Sequence, residues 1–302
     1  MPTYHFFLTI RDHTLNTSQY HEKYKYSPLL PAPSTITGAY IRALLRVLDG
    51  DSAQIEEHLL PKAVHVAPLG TVYQLYRFKR MHTKVETGKE GGAPEWFLRT
   101  VYYPNNKKSS GYKIFISTGT YTVISEMRVH MKFEAPDDAL TTIKKALHSM
   151  LAVGENDDIV TDYKVEGPYT AEETLDEGYT WYYTRAENVP LDTASDIVIT
   201  RLWEIASIDP SVKTHVKNKF GVKYAIPLVF RPPKELIFHY TGAPLVRVFE
   251  PTTVKVKDLD IIRTKRGLER VPREDNVVVL PTACRNNRRS RGSSRRRSRN
   301  RH

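Results

Sequence analysis

Pro28, Pro31 and Pro33 constrain this chain more than any other feature, because each fixes its own φ and biases the residue before it toward extended geometry. The segment is KYSPLLPAPSTITGAYIRALLR, residues 25–46, and a helix can begin only after its prolines. Ser34 or Thr35 then supplies a cap. Ile36, Ala39, Tyr40, Ala43, Leu44, Val47 and Leu48 recur at the i, i+3, i+4, i+7 spacing of a helix laid on a core, and Gly50 closes it. Arg42 and Arg46 fall one turn apart beside the apolar face, and Gly38 in the first turn lets another backbone come close. Free amides at the helix start, the hydroxyls of Ser34, Thr35 and Thr37, and two arginines suit a phosphate-bearing partner. The same pattern also suits a helix that does nothing beyond packing.

A second local pattern supports a layered α+β fold. In EMRVHMKFE, residues 126–134, Met127, Val129, Met131 and Phe133 alternate with Arg128, His130, Lys132 and Glu134, which predicts a half-buried strand. Pro136, Asp137 and Asp138 then introduce a helix with one apolar arc from Ala139 through Leu140, Ile143 and Leu147 to Leu151. The turn Val153–Asp158 returns to apolar Ile159 and Val160, while residues 4–10 alternate as a first strand. Strand, helix and strand twice over predicts a ferredoxin-like, RRM-like arrangement.

Other segments add expectations of lower periodicity. Ser52 to Leu60 reads as a short helix stopped by Pro61. Val72–Arg80 and Phe97–Tyr103 read as strands flanking the Gly/Glu/Lys-rich connection ETGKEGGAPE, whose surroundings carry Lys79, Arg80, His82, Lys84 and Arg99 among tyrosines, Phe78 and Trp96. Basic and aromatic residues together can hold phosphates and stack bases, although an ordinary hairpin with solvated lysines has the same composition. An aromatic strand YTWYY (179–183), the stretch DIVITRLWEIA, and strands at Lys223–Phe230, Leu236–Tyr240 and Leu245–Val256 predict a β-rich C-terminal region, with Trp181 and Trp203 as packing anchors. The expected division is a first domain over 1–168, including the hairpin around 72–113, a second region over 169–284, and a disordered arm over 285–302.

Charge has to be divided before it is read. The chain of 302 residues carries 45 Lys and Arg against 34 Asp and Glu, but nine of those arginines lie after Cys284 with no acid among them, so the body is left near +2. Any nucleic-acid surface on the body must come from local clustering. The arm itself would give salt-sensitive affinity without sequence preference. Cys284 is the only cysteine, so neither an intrachain disulfide nor a cysteine-based zinc site can be assembled, and a cytoplasmic protein is expected. No apolar run reaches the ~18 residues of a membrane span, and the N-terminus lacks the marks of a signal peptide. No cofactor or metal is expected. The motifs G-x-x-x-x-G-K-[ST], H-E-x-x-H and G-x-S-x-G are missing, which leaves ATPase, zinc-protease and hydrolase chemistry without a foothold.

The N-terminal strand, the spaced prolines, the Ser/Thr-rich cap, Gly38-Ala39 and the helical Arg42-Ala43-Leu44 together resemble the start of the Cas-five family, the CRISPR effector subunit that caps the 5′ end of the guide RNA, in its archaeal type I-A form. The turn at 153–158 and the strand GVKYAIPLVF (221–230) are similar to elements of that family, whereas the arginine arm is not part of its pattern, and the glycine-rich G-x-G loop of many related RNA-binding CRISPR proteins is missing. The resemblance implies a ferredoxin-like domain with a β-hairpin thumb and a non-catalytic role in antiviral defence. The implied partners are guide RNA, the backbone and large subunits of the complex and, through the complex, target DNA, without a membrane. On this reading Ser34, Thr35, Thr37, Gly38, Arg42 and Arg46 contact phosphate or backbone, Tyr24, Lys25 and Tyr26 line the approach, and Lys79, Arg80, Lys84 and Arg99 guide the strand. The alternative is a metal-independent endoribonuclease that processes CRISPR precursor RNA. The region from Tyr20 to Tyr26 holds the His, Lys and Tyr types such chemistry needs, with His21 as its base, but the adjacent Lys-His pair of the cutting branch is missing.

Overall fold

Backbone pairing with a long partner strand carries the first strand beyond its predicted end at Ile10, with His13 and Leu15 still buried. The computed structural model describes residues 1–15, 19–21, 24–82, 114–154, 159–160, 162–190, 197–209, 221–231 and 246–281, with backbone only at 19–21, 24–26, 76–82 and 114–119. Strand β1 spans Thr3–Leu15, followed by the short strands β2 (Gln19–His21) and β3 (Tyr24–Tyr26) and by helix α1 (Pro33–Val47). Next come β4 (Ala63–Pro68), β5 (Val72–His82), β6 (Ile114–Glu134), helix α2 (Leu140–His148) and β7 (Asp162–Tyr169).

The long β6 is the spine. Along one edge it pairs antiparallel with β1, and beyond that pairing β3 bridges to it at Lys25↔Gly119. Along the other edge it takes β4 and then β5, the latter in register from Val72↔Ile124 to His82↔Ile114. Strand β7 pairs antiparallel with β1, so the central order is β7-β1-β6-β4, with α1 between β1 and β4 in the chain and α2 between β6 and β7. The apolar members of each alternation face the helices. Phe6, Leu8, Ile10, Val64, Val66, Val129, Met131 and Phe133 pack with Ile36, Tyr40, Leu44, Ile143 and Leu147 in one buried cluster. Burial of each large side chain contributes roughly 1.5–3 kcal/mol, which makes this interface the main apolar support of the fold.

The remaining strands are β8 (Glu173–Thr180), β9 (Thr184–Arg185), β10 (Val198–Leu202), β11 (Ile205–Ser207), β12 (Val222–Ile226), β13 (Leu228–Arg231), β14 (Val246–Pro251), β15 (Val254–Thr264), β16 (Gly267–Pro272) and β17 (Val278–Leu280). They form three small sheets, β10-β12-β9, β11-β17 and β16-β15-β8, while β13 and β14 extend the main sheet through the β14–β5 pairing. The whole is a mixed α+β fold dominated by sheet.

The C-terminal strands bury the second face of the main sheet. On that face lie His5, Phe7 and Thr9 of β1, Arg128, His130 and Lys132 of β6, and His65 of β4, each buried. Phe7 and Ala67 pack with Tyr182, Ile262 and Val271. The free edge of β4 is closed as well, because the Val66 carbonyl accepts from the Tyr183 amide and the Asn276 side chain both donates to the Val64 carbonyl and accepts from the Val64 amide, at 2.8 Å each. An edge strand closed this way offers no template for pairing with another chain.

Several expectations change. The strand at 126–134 is buried on both faces, since alternation in sequence reports polarity and not what covers the polar side. The helix expected over Ser52–Leu60 is two separate 3₁₀ turns, Ser52–Gln54 and Glu57–Leu59; only Leu59 and Leu60 are buried there, too few to stabilise a longer helix. The YTWYY stretch is not one strand, because β8 ends at Thr180 and the chain turns before β9. Pro227, which has no amide to donate, divides the expected strand 223–230 into β12 and β13. The expected strands at 97–103 and 236–240, the hairpin connection 83–113 and the arm 285–302 lie outside the described residues. No helix among the described residues is long and apolar enough to cross a membrane.

Candidate nucleic-acid interface

Helix α1 begins where the prolines release the chain, but its cap is Ala32 with Pro33 in the first turn, and no side chain caps it. Neither Ser34 nor Thr35 acts as the cap, because the helix starts two to three residues earlier than a cap at either hydroxyl predicts. The approach is fastened to β6 and β5: the Ser27 amide donates to Thr120 Oγ1 at 2.8 Å, Thr122 Oγ1 donates to the Pro28 carbonyl at 2.9 Å, and Gln74 Nε2 donates to the Ser27 carbonyl at 2.9 Å. The Ser34 amide donates to the Trp203 carbonyl at 2.9 Å, so protein already occupies one of the helix-start donors. Thr37 is buried and its hydroxyl donates to the Pro33 carbonyl at 2.8 Å. Gly38 is half-buried, and nothing among the described residues lies within 4 Å of where its Cβ would stand, so no backbone approaches it closely.

Arg42 and Arg46 are both exposed on α1, one turn apart. Ser34 and Arg46 stand roughly 18 Å apart along the helix axis at 1.5 Å per residue, so the two ends of α1 form separate surfaces. Beside the C-terminal end, α2 contributes exposed Lys144, Lys145 and His148. An open groove of about 640 Å³ runs there, lined by Val47, Thr141, Lys144, Lys145, His148 and Ser149. The Tyr163 hydroxyl, which burial pushes upward in pKa, donates to the His148 carbonyl and holds that end of α2 to β7. Cations in the last turn of two neighbouring helices are favoured by the helix dipoles and together make a positive surface.

The second predicted group meets on a backbone ribbon. Strands β3 and β5 flank β6, where Lys25 and Arg77 both stand opposite Gly119, and Lys79 and Arg80 stand opposite Ser117 and Ile116. Tyr24, Lys25, Tyr26, Lys79 and Arg80 thus share one three-stranded ribbon in backbone register. Lys84 and Arg99 lie outside the described residues.

The covered sheet face holds a cluster of buried titratable groups. His5 Nδ1 lies 2.9 Å from His130 Nε2, and the rings of His5 and His65 stack on His130 with centroids 5.2 and 5.6 Å away. Burial first, then Lys132 and His65, push the His5 pKa down to about 4. Burial first, then the same cluster, holds His130 well below its ordinary value. Arg128 is buried over the Phe7 ring at 4.9 Å and donates to Thr9 Oγ1 at 2.7 Å, Glu166 at 3.0 Å and Glu269 at 2.7 Å. Burial opposes its charge, but the carboxylates of Glu166 and Glu269 outweigh that and raise its pKa. Tyr182 donates to the same Glu269. No sequence window reveals this network, because its members lie on β1, β4, β6, β7 and β16; the polar half of the β6 alternation was the only local hint. Its imidazoles are sealed from solvent and cannot reach an external substrate. Among the described residues no group of His, Cys, Asp and Glu is arranged to hold a metal ion.

Fold and surface together describe an α+β protein with a basic surface on the helical side, and with Lys25, Arg77, Lys79 and Arg80 brought into backbone register along the β3-β6-β5 ribbon. No protein-family model matches the chain, and no curated protein matches it. Among solved structures, the chain is similar to a CRISPR protein from Archaeoglobus fulgidus at 13% identity and a TM-score of 0.38, covering 84% of this chain and 99% of that one. A chain of a CRISPR RNA-guided surveillance complex aligns at 9% identity and a TM-score of 0.35, covering 90% and 95%. A chain of a type III-B Cmr-beta complex bound to cognate target RNA and AMPPnP aligns at 12% identity and a TM-score of 0.27, covering 84% and 86%. Likenesses at these scores transfer no function to this chain.

Proposed function

We propose that this chain is a non-catalytic RNA-binding subunit of a type I-A CRISPR interference complex, which holds the 5′ handle of the guide RNA and caps the backbone of the assembly in antiviral defence. The observation that carries the reading is the central strand order β7-β1-β6-β4 with both helices on one face. That order supports the ferredoxin-like arrangement which the Cas-five resemblance implies. In an RRM the open sheet face stacks bases, but here that face is covered, so RNA is assigned to the helical side and to the ribbon. Arg42 and Arg46, joined by Lys144 and Lys145, take phosphates. Tyr24, Lys25, Tyr26, Lys79 and Arg80 on the ribbon, with Lys84 and Arg99, guide the strand toward the neighbouring subunit. Ser34 and Thr35 remain at the far end of α1 as secondary contacts, while Thr37 and Gly38 serve the helix start.

The test is binding of a chain ending at Cys284 to guide RNA with an intact or a scrambled handle, with EDTA present. Handle-dependent binding without cleavage supports the reading. Arg42→Ala with Arg46→Ala is expected to weaken it and to flatten the log–log salt slope by about 0.7–0.9 for each phosphate no longer neutralised. Equal affinity of the double variant and the parent would remove the α1 site. A second reading, the endoribonuclease, is favoured by one observation: His148 is exposed beside Lys144 and Lys145, close to Tyr163, which brings a base, cations and a phenol together. Cleavage in EDTA that is abolished by His148→Ala would establish it.

A further inference from the structure

Trp181 is 49% exposed and is not the packing anchor that its residue type suggests; of the two tryptophans among the described residues, Trp203 is the one that packs against the main core. Around Trp181 three more large apolar side chains face solvent, Tyr179 at 53%, Leu268 at 56% and Leu69 at 38% exposure. They converge on a cleft of about 180 Å³ between the end of β8, β16 and the chain just after β4, with Ala67 and Tyr182 lining it deeper in. Four exposed apolar groups on one concavity leave a cost that a ligand can relieve. We propose that this cleft binds one unstacked base of a single-stranded nucleic acid, with Trp181 and Tyr179 as stacking surfaces and Arg270 on the adjoining phosphate. The inference rests on the RNA-binding reading above and deepens it by assigning a base site on the side of the molecule built from β8 and β16.

The charges favour a nucleotide over an apolar protein segment. Arg270 lines the cleft, is exposed, and forms no ion pair among the described residues. Lys265 and Arg266 in the β15–β16 turn lie a few residues from Leu268 and are exposed, with Arg266 held by Glu126 at 3.0 Å. The single carboxylate of the lining, Glu269, is turned inward and neutralised by Arg128. The walls are therefore aromatic and the rim cationic, which is the combination that stacks bases while tracking a backbone. Size points the same way. The cleft is well below the roughly 300–1,000 Å³ of sites for whole drug-sized ligands, so it suits one planar ring system whose chain continues into solvent.

The experiment uses the full chain and a single-stranded RNA carrying 5-bromouridine, with ultraviolet crosslinks mapped by mass spectrometry and affinity measured at several salt concentrations. Crosslinks are expected at Tyr179 or Trp181. Trp181→Ala is expected to weaken binding by about 5- to 100-fold without changing the salt slope, and Trp181→Phe to retain most of the affinity. Arg270→Ala should flatten the slope by about 0.7–0.9. Thermal melts check that each variant folds, and the crosslink map on the parent decides the matter even where a variant does not. Crosslinks confined elsewhere, with unchanged affinity in Trp181→Ala, overturn the base site while the handle reading stands on Arg42 and Arg46. Loss of a protein partner in Trp181→Ala with RNA binding intact overturns it in favour of a subunit interface. A parent chain that binds no single-stranded RNA overturns both.

Discussion

Asn276 shows how a single side chain can substitute for a strand. It is fully buried and satisfies both the amide and the carbonyl of Val64, which the edge of β4 would otherwise leave unpaired. Asn276→Ala strands two buried backbone groups, each worth about 1–3 kcal/mol, so a loss of roughly 2–6 kcal/mol is expected in urea unfolding, together with faster amide exchange at Val64. The histidine stack makes a prediction about pH. His5 is held neutral, with its folded pKa at about 4 against an ordinary 6.5, and His130 is shifted in the same direction. The unfolded chain therefore takes up these protons first as pH falls. Stability is expected to be fully present above about pH 6.5 and to fall with acidification toward pH 4, by up to about 1.4 kcal/mol per pH unit for each histidine. Urea midpoints measured at pH 7.5, 6 and 5 check this, and a flat profile would remove the buried stack as an acid-sensitive element. Lys132 sharpens the effect, since its ammonium faces the same cluster while donating to the Arg273 carbonyl and pairing with Asp275 at 2.5 Å.

Among the elements, sequence and structure agree where one residue period decides the outcome. Helix α1, the strand at the end of β6 and helix α2 all follow from apolar spacing. They part where a neighbour decides. The cap of α1 moved to Ala32, and Trp203 supplies the acceptor for Ser34, although it is distant in sequence. Strand β7 has to shift register against β1 between His5 and Phe7, and Gly167 sits at that irregularity with φ +120°. A Cβ there would stand 2.8 Å from the His5 carbonyl oxygen and 2.9 Å from the Phe6 ring. Gly167→Ala is expected to cost about 1–3 kcal/mol through the strained backbone and the clash with β1, measurable as a lower melting temperature without change in the far-ultraviolet spectrum. Glycine at this position is required by the close approach of two strands, which no sequence window spans.

In the molecule as a whole, the C-terminal strands act as a cover. Glu274 accepts from the Arg185 amide at 2.9 Å and from Thr184 Oγ1 at 3.1 Å, lies 3.6 Å from His65, and belongs to the same short segment as Asn276. A chain ending at Cys284 keeps this segment and β17 and is expected to melt as the full chain does. A chain ending at Pro272 loses both, uncovers the edge of β4 and the histidine stack, and is expected to lose its cooperative transition; retention of a sharp melt in that shorter chain would show that the cover is dispensable. Residue order alone was enough to specify the helix after the prolines, the βαβ rhythm, the near-neutral body and the arginine-rich end, because periodicity and charge are local properties. Folding had to add that Arg128 and His130 are buried, that Lys144, Lys145 and His148 join the arginines of α1 in one basic surface, and that Trp181 faces solvent above a cleft. Each of these depends on which distant segment covers which face. Burial arises between elements, and alternation of residue types along one element specifies a face without specifying what lies against it.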